Sequence, residues 1–458
     1  MAGKQSVSTK RTAVRPVPFA MDVADRIRKE RYYDAEFFEL EAKQLWPRVW
    51  QMACRLEEIP NPRDFATYEI LDQSVIVVRQ DDLSVRAFHN ACRHRGVRLV
   101  DGHGTSTSGF TCPFHGWCYG SDGANTFISR ASTFSEHNLK PDDVGLQEVR
   151  CESWGGCAWI NLDPKAPDLR ASIEPFATYM DAWQFEDWHA EWWCSFTLPV
   201  NWKLAQEAFM EQYHVLETHP QLRLPGRYPS KSKAFDQQAF LAAELEYLRV
   251  MSDGMAGMVH ANDVKIAQRL MPKVSLPDDP VGARDEWERL FNDAVVKWHR
   301  GKKHAIPDLN QLTADGFTEP MVYCFPHFFI LPMYSSASQY RFRPLGPEET
   351  LMEIWSLTRF PEGVERPKLP IPEPMAHNDP RVPPIPTQDF SNLPKQQLGL
   401  HSRSFEYMRL SAQIEGHLSN FHRTIDGYLE GRPSKKLLRA HQELNINPLE
   451  RPIVDLHF

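Results

Sequence analysis

The chain has 458 residues, enough for two or three domains with a sizeable buried core. Its 42% hydrophobic, 11% aromatic and 24% charged residues exclude collagen-like, coiled-coil and wholly disordered architectures. A formal charge of −8 without any dense Lys/Arg tract argues against nucleic acid or an anionic membrane as the main partner, and no run of about 18 apolar residues marks a membrane span.

Residues 1–20 are basic, contain Pro and lack an apolar h-region, so they read as a mobile arm or a strap laid on a neighbour, with order beginning near Val23. From Ile27 to Trp50 apolar residues (Phe37, Phe38, Leu40, Leu45, Trp46) recur at helical spacing. Period-two runs then predict strands at Phe65–Ile70, Ser74–Arg79, Val85–Asn90 and Gly156–Leu162, with Asp81-Asp82 as a hairpin turn and the block ending near Pro164. Trp183–Pro199 reads as a strand, and Trp202–His219 as a helix stopped by Pro220. Between Leu222 and Gly316 helical segments are expected around Phe235–Met251 and Ala283–Trp298. Met321–Met333, Ser338–Phe342 and Thr350–Phe360 predict a second antiparallel sheet. Nine prolines between Pro361 and Pro386 make a stiff connector, and Leu393–Leu429 reads as a long closing helix.

Eight scattered cysteines, without a secretory signal, suggest metal or catalytic use in a non-secreted, cytoplasmic protein. Cys92-Arg93-His94-Arg95-Gly96 is followed, after seventeen residues from Arg95 to Thr111, by Cys112-Pro113-Phe114-His115-Gly116-Trp117. Each arm offers one Cys and one His. Zinc modules usually start from a paired-Cys knuckle, whereas a Rieske [2Fe–2S] cluster takes two thiolates on one iron and two imidazoles on the other, which mixed arms clamp from two sides. Gly96, Gly116 and Gly120 are expected to let backbone approach the cluster, and Pro113 to stiffen the second arm.

Farther on, Glu207, Glu211 and His214 stand at i, i+4 and i+7, a single stripe if the segment is helical throughout. His219 lies five residues after His214, about 140° around an ideal helix, so the two share one ion only if the helix is distorted or ends between them. Two imidazoles and one carboxylate are the ligand set of a mononuclear non-haem Fe(II) that activates dioxygen. Asp389, where the Pro-rich connector meets the last helix, supplies the carboxylate, with Asp379 and Asp426 as competitors and a helix N-cap as its ordinary role. Glu207 and Glu211 are equally readable as solvated helix charges.

These motifs, C-x-H-R-G with C-P-F-H-G-W and then N-W-K with E-x₃-E-x₂-H-x₄-H, Asp389, Gln396, Gln397 and Gly399, resemble the terminal oxygenase component (α subunit) of the Rieske non-haem iron oxygenases, from Arg31 to Leu429. The resemblance implies an α+β fold: a Rieske β domain, an antiparallel β sandwich, inserted in a helix-grip catalytic domain with an antiparallel sheet and a long C-terminal helix. The corresponding domains are an arm and helix at 1–48, the Rieske domain at 49–165 and the catalytic domain at 166–458. It also implies a homotrimer in which the cluster of one subunit, on Cys92, His94, Cys112 and His115, faces the neighbour's iron on His214, His219 and Asp389. An acidic residue bridges the two sites, at Glu211 here. Most relatives carry Asp there, and Glu is found in the branch that oxidises carnitine-like quaternary amines. Ala208 departs as well, since many relatives have Asn after the residue matching Glu207.

The implied activity is hydroxylation of an apolar aromatic or alicyclic substrate, as in aromatic hydrocarbon catabolism, with oxidative demethylation or monooxygenation of a quaternary-amine or methoxy substrate as the alternative. A Rieske electron carrier and a zinc-binding interaction protein are the more distant classes. No nicotinamide or flavin fingerprint occurs, because the Gly-rich stretch Gly102–Gly109 lies between the two cluster arms, so electrons are expected from a ferredoxin and/or an NAD(P)H-dependent reductase. Phe209, Met210, Val215 and Leu216, with Phe325, Phe328, Ile330 and Leu331, are candidates for an apolar pocket.

Overall fold

The computed structural model describes residues 16–227, 235–255, 257–361, 363, 364, 366, 368–446 and 451–458. Residues 1–15 of the expected arm, and parts of the Pro-rich connector, lie outside them. Where the description begins, Val17 is already buried, Phe19 offers its carbonyl to Arg31, and the Met21 N–H bonds to Asp426. The segment is thus a strap on its own chain.

The β-rich block forms as its alternation predicts. Strands Asp64–Ile70, Gln73–Arg79 and Val85–His89 make an antiparallel meander, closed at 80–84 by the Asp81-Asp82 turn. With Gln51–Arg55, His103–Thr105, Glu148–Trp154 and Cys157–Asn161 they complete a seven-stranded sheet, next to which Phe110–Thr111, Cys118–Tyr119 and Asn125–Phe127 form a small three-stranded one. Phe65, Phe88, Phe110, Trp117 and Tyr119 fill a separate apolar cluster around Cys92 and Cys112.

The second sheet has six strands, and its long members Trp188–Leu198, Ser336–Gly346 and Glu349–Arg359 pair antiparallel, with register shifts at Ala190/Trp192 and Pro344/Gly346. Alternation gives it two different faces. Arg341 and Glu353 form a buried bidentate pair on one face, and Arg341 also donates to the Met52 and Ala53 carbonyls, while Arg55 reaches Gln339 at 2.7 Å and the Trp188 carbonyl. These contacts lock the first sheet to the second. Ser338, Tyr340 and Phe342 point from the opposite face toward the helices.

Two expected helices are broken. Trp202–His219 is not one helix: it runs from Trp202 to Glu207, capped by Asn201, whose side chain accepts from the Lys203 N–H at 3.0 Å. It closes with the Phe209 and Met210 N–H groups on the carbonyls of Gln206 and Glu207, and helix returns only at Val215–Thr218. Leu393–Leu429 likewise splits into Pro384–Leu400, a strand Tyr407–Arg409 and Gly416–Leu429. The strand satisfies its backbone by pairing with Arg26–Arg28, a partner nearly four hundred residues away that local periodicity does not register. Helices the periodicity missed, among them Leu169–Ile173, Phe176–Ala182, Ala261–Leu270, Leu309–Ala314 and Ser434–Leu444, also belong to the catalytic half. No helix among the described residues is long and apolar enough to cross a membrane.

Candidate metal centres

The two Cys–His arms adopt the same turn. Cys92 N–H bonds to the Val97 carbonyl and Gly96 N–H to the Cys92 carbonyl; Cys112 N–H bonds to Trp117 and Gly116 N–H to Cys112. Gly96 and Gly116 sit at φ 76° and 71°, and a Cβ at either would meet no atom within 4 Å. The left-handed turn, more than crowding, is what demands glycine there, and at Gly120 the crowding comes from the Asp122 side chain.

Both thiols are buried and the two imidazoles stand 4.6 Å apart, with His94 stacked on Trp117 at 5.2 Å. The Nδ1 atoms of His94 and His115 are buried and have no hydrogen-bond partner among the described residues. A buried orphan nitrogen costs about 1–3 kcal/mol, a penalty that a metal ligand escapes, so two thiolates and two free Nδ1 atoms fit a Rieske cluster. Burial pushes the Cys112 thiol up, but the Phe114 and His115 backbone amides, with Cys92, bring it below its ordinary value. The Tyr119 hydroxyl lies 3.2 Å from the Cys92 sulfur and was not anticipated.

The second centre forms where the broken helix lets the chain turn. His214, His219 and Asp389 bring one ligand atom each within 4.8 Å of one another, and among the described residues no other His/Cys/Asp/Glu group of that size does so. His214 Nε2 and His219 Nε2 lie 3.6 Å and 3.2 Å from the same Asp389 oxygen. Each imidazole is oriented through its far nitrogen: His214 Nδ1 by Glu211 at 2.6 Å, His219 Nδ1 by Gln388 at 2.7 Å. Donation from Nδ1 leaves both Nε2 lone pairs for an ion. Asp389 is inside the helix Pro384–Leu400 and buried, so it is not the N-cap that its type suggests. Its competitors are engaged elsewhere, Asp379 with Arg381 and Asp426 with Arg31.

Glu207 corrects the stripe drawn from spacing. Instead of continuing along a solvated face toward Glu211, its side chain is buried against Tyr32 and His422. It still lines, with Glu211, His214 and Asp389, a cavity of about 300 Å³. None of the eight apolar pocket candidates lines that cavity. Phe328 packs on Trp159 and Phe176, and Ile330 shares its strand face. Phe325 stacks on Tyr428, and Leu216 is exposed. Phe209 packs against Phe329, Tyr340 and Phe342 of the sheet.

Sequence reasoning missed Tyr32, Tyr119, Gln388 and His422. Gln388 had a signal, being next to Asp389, whereas Tyr32 and His422 are 175 and 215 positions from Glu207.

Residues 183–431 match the description "Ring hydroxylating alpha subunit (catalytic domain)", and residues 49–135 match "Rieske [2Fe-2S] domain". The chain belongs to the family of ring-hydroxylating oxygenase alpha subunits, whose Rieske domain carries a [2Fe–2S] cluster and whose catalytic domain binds a mononuclear iron. It is 35% identical over 205 residues to the anthranilate 1,2-dioxygenase large subunit of Acinetobacter baylyi, covering 42% of each chain. It is 30% identical over 191 residues to the carnitine monooxygenase oxygenase subunit of Escherichia coli, covering 41% of this chain and 50% of that one. The matched region thus spans about half the length of these curated relatives. The fold is shared with a quaternary ammonium Rieske monooxygenase (TM-score 0.60, 17% identity, 91% of this chain and 100% of that one). It is shared equally with naphthalene 1,2-dioxygenase (TM-score 0.61, 20% identity, 91% and 94%).

Proposed function

We propose that the chain is the terminal oxygenase component of a multicomponent Rieske system, which takes dioxygen and electrons from a ferredoxin and/or an NAD(P)H-dependent reductase to hydroxylate a small organic molecule. The observation that carries this reading is the convergence of His214 Nε2, His219 Nε2 and an Asp389 carboxylate oxygen in a chain that also holds two matching Cys–His turns. Cys92 and Cys112 would hold one iron of the cluster, His94 and His115 the other, and His214, His219 and Asp389 the mononuclear iron. When bound, these groups supply single electrons and the activation of dioxygen. The protein's own part is orientation. Glu211 and Gln388 fix the two imidazoles, and Glu211, which lines the cavity, is our candidate for the bridge to a neighbouring subunit's cluster.

An apolar aromatic or alicyclic substrate suits the apolar part of the cavity lining, Leu204, Leu393, Phe405, Met408, Leu410 and Leu418. The second reading, monooxygenation of a quaternary amine or methoxy group, is favoured by Glu211 standing where most relatives carry Asp. A homotrimer is supported by two exposed apolar ends, Phe114 and Phe127 near the cluster arms and Tyr213 and Leu216 beside the iron site. We place the arm at 1–48, the Rieske domain at 49–165 and the catalytic domain at 166–458. Among the described residues the eight cysteines form no disulfide, which suits a reducing, cytoplasmic location.

Iron and acid-labile sulfide per chain, together with isotopically labelled dioxygen, test the reading. Three irons, two sulfides and label in a hydroxylated product are expected. Two irons, two sulfides and no labelled product would make the chain an electron carrier, and bound zinc would overturn both.

A further inference from the structure

Behind the helix Trp202–Glu207 lies a buried cluster of charges drawn from four segments: Arg31 and Tyr32, Glu41, Lys203 and Glu207, and His422 with Asp426. Arg31 bonds to Asp426 at 2.6 Å, and Lys203 to Glu41 at 2.8 Å. These charges cancel in pairs, so among the described residues no Lys or Arg is paired directly with the Glu207 carboxyl. Its oxygens accept from the Tyr32 hydroxyl at 2.9 and 3.0 Å, and one lies 2.7 Å from His422 Nε2.

The opposite nitrogen of His422 decides where the exchangeable proton sits. Arg31 Nε lies 3.0 Å from His422 Nδ1, and a guanidinium only donates. Nδ1 is therefore a lone pair, and the single imidazole proton is on Nε2, aimed at Glu207. His422 takes no second proton without displacing Arg31, so the group that titrates is Glu207. Burial raises it to about 8, against the Tyr32 hydrogen bond and the charges of Lys203 and Arg31, while Glu415 adds to the rise. Tyr323, which also feels Glu207, is itself held well above its ordinary value by burial. Glu207 opens onto the cavity of about 300 Å³ that Glu211, His214 and Asp389 share, which has room for several waters.

We propose that Glu207 is the internal proton donor of this cavity, with Tyr32 and His422 as its positioning residues. The inference rests on the oxygenase reading above. Hydroxylation of R–H by dioxygen, with two electrons from the reductase and two protons, gives R–OH and water: one C–H and the O–O bond break, and a C–O bond and new O–H bonds form. One of the two protons leaves the Glu207 carboxyl through cavity water. The carboxylate left behind is held by the Tyr32 O–H and the His422 Nε2–H until solvent returns a proton.

The test uses the full-length, iron-loaded protein. Glu207→Gln keeps the shape of the side chain and has no carboxyl proton to release. Infrared difference spectra across about pH 6 to 9 should show a carboxyl titration in the parent that Glu207→Gln lacks. Tyr32→Phe, which removes a hydrogen bond to the carboxylate form, should move that titration to higher pH. In single-turnover oxidation of the reduced cluster with substrate and dioxygen, the parent rate should fall as pH rises through about 8. Glu207→Gln should be roughly 100-fold slower, without that limb, at unchanged metal content and substrate affinity, and Glu207→Asp should recover part of the rate. A Glu207→Gln protein with the parent's rate and limb overturns the proposal, as does a parent without the infrared titration. A metal-loaded parent that oxidises no candidate substrate overturns the oxygenase reading instead, and the titration still decides whether Glu207 holds the proton.

Discussion

Gln388 is the sharpest probe of how the second centre is held. Its Oε1 stands 2.7 Å from His219 Nδ1 and also accepts from Gln221 Nε2 at 2.8 Å, while its own Nε2 donates back to Gln221 at 3.0 Å. The His219 side chain is only 5% exposed, so water does not take over a lost acceptor. Gln388→Leu keeps the bulk of the side chain but leaves the imidazole N–H and the Gln221 amide unsatisfied, and it frees the ring to turn. Loss of such an outer partner weakens metal binding about 10–100-fold, on the order of 1.4–2.7 kcal/mol. Competition with a calibrated Fe(II) chelator measures this, and the visible absorption of the cluster, remote from the change, serves as the internal control. Gln388→Glu retains an acceptor and should bind iron at least as tightly as the parent. Iron affinity of Gln388→Leu within about a factor of two of the parent would refute the assignment of His219 as a ligand oriented through Nδ1.

Asp389→Ala should lose one iron per chain and turnover while keeping the cluster spectrum, and iron analysis decides it. Glu211→Gln should retain both metals and accept electrons normally, yet oxidise its cluster slowly in single turnover, because it loses the carboxylate that orients His214 at 2.6 Å. Lys203→Met leaves Glu41 buried without its cation and should cost about 3–5 kcal/mol in urea unfolding. The double variant Lys203→Met/Glu41→Gln should recover part of that loss. Arg55, against the burial that opposes it, holds the Glu57 carboxyl down at about 2. A depressed carboxyl contributes stability above its unfolded value near 4.5 and loses it as pH falls toward the folded value. The stability gap between the parent and Glu57→Gln should therefore be constant from neutrality to about pH 5.5 and shrink below about pH 4.5.

The candidate ligands were legible because metal chemistry is written in residue type and short spacing. Cys92, His94, Cys112 and His115 sit in two arms of one build, and the turns at Gly96 and Gly116 are local backbone events. The strands of the first sheet were legible for a similar reason, since period-two alternation is a local consequence of one buried face. The helices were not. Trp202–His219 has helical composition throughout, but its interruption follows from Phe209 packing against the second sheet and from the His pair turning to one point. Neither requirement is visible within eighteen residues.

By itself the sequence offered the candidate donor atoms and their order, because thiolate, imidazole and carboxylate carry their coordination preferences wherever the chain places them. It favoured Asp389 as the carboxylate and kept Asp379 and Asp426 as competitors. Tertiary structure separates them physically, by giving Asp379 to Arg381, Asp426 to Arg31 and Asp389 to the two histidines. The same holds for Glu207, which spacing allowed on a solvated stripe and folding buries against Tyr32 and His422 at the edge of the cavity. Its character as an acid is set by desolvation and by Tyr32, His422, Arg31 and Lys203. Three of these are remote in sequence, and electrostatics depends on distance in space, to which position along the chain is no guide.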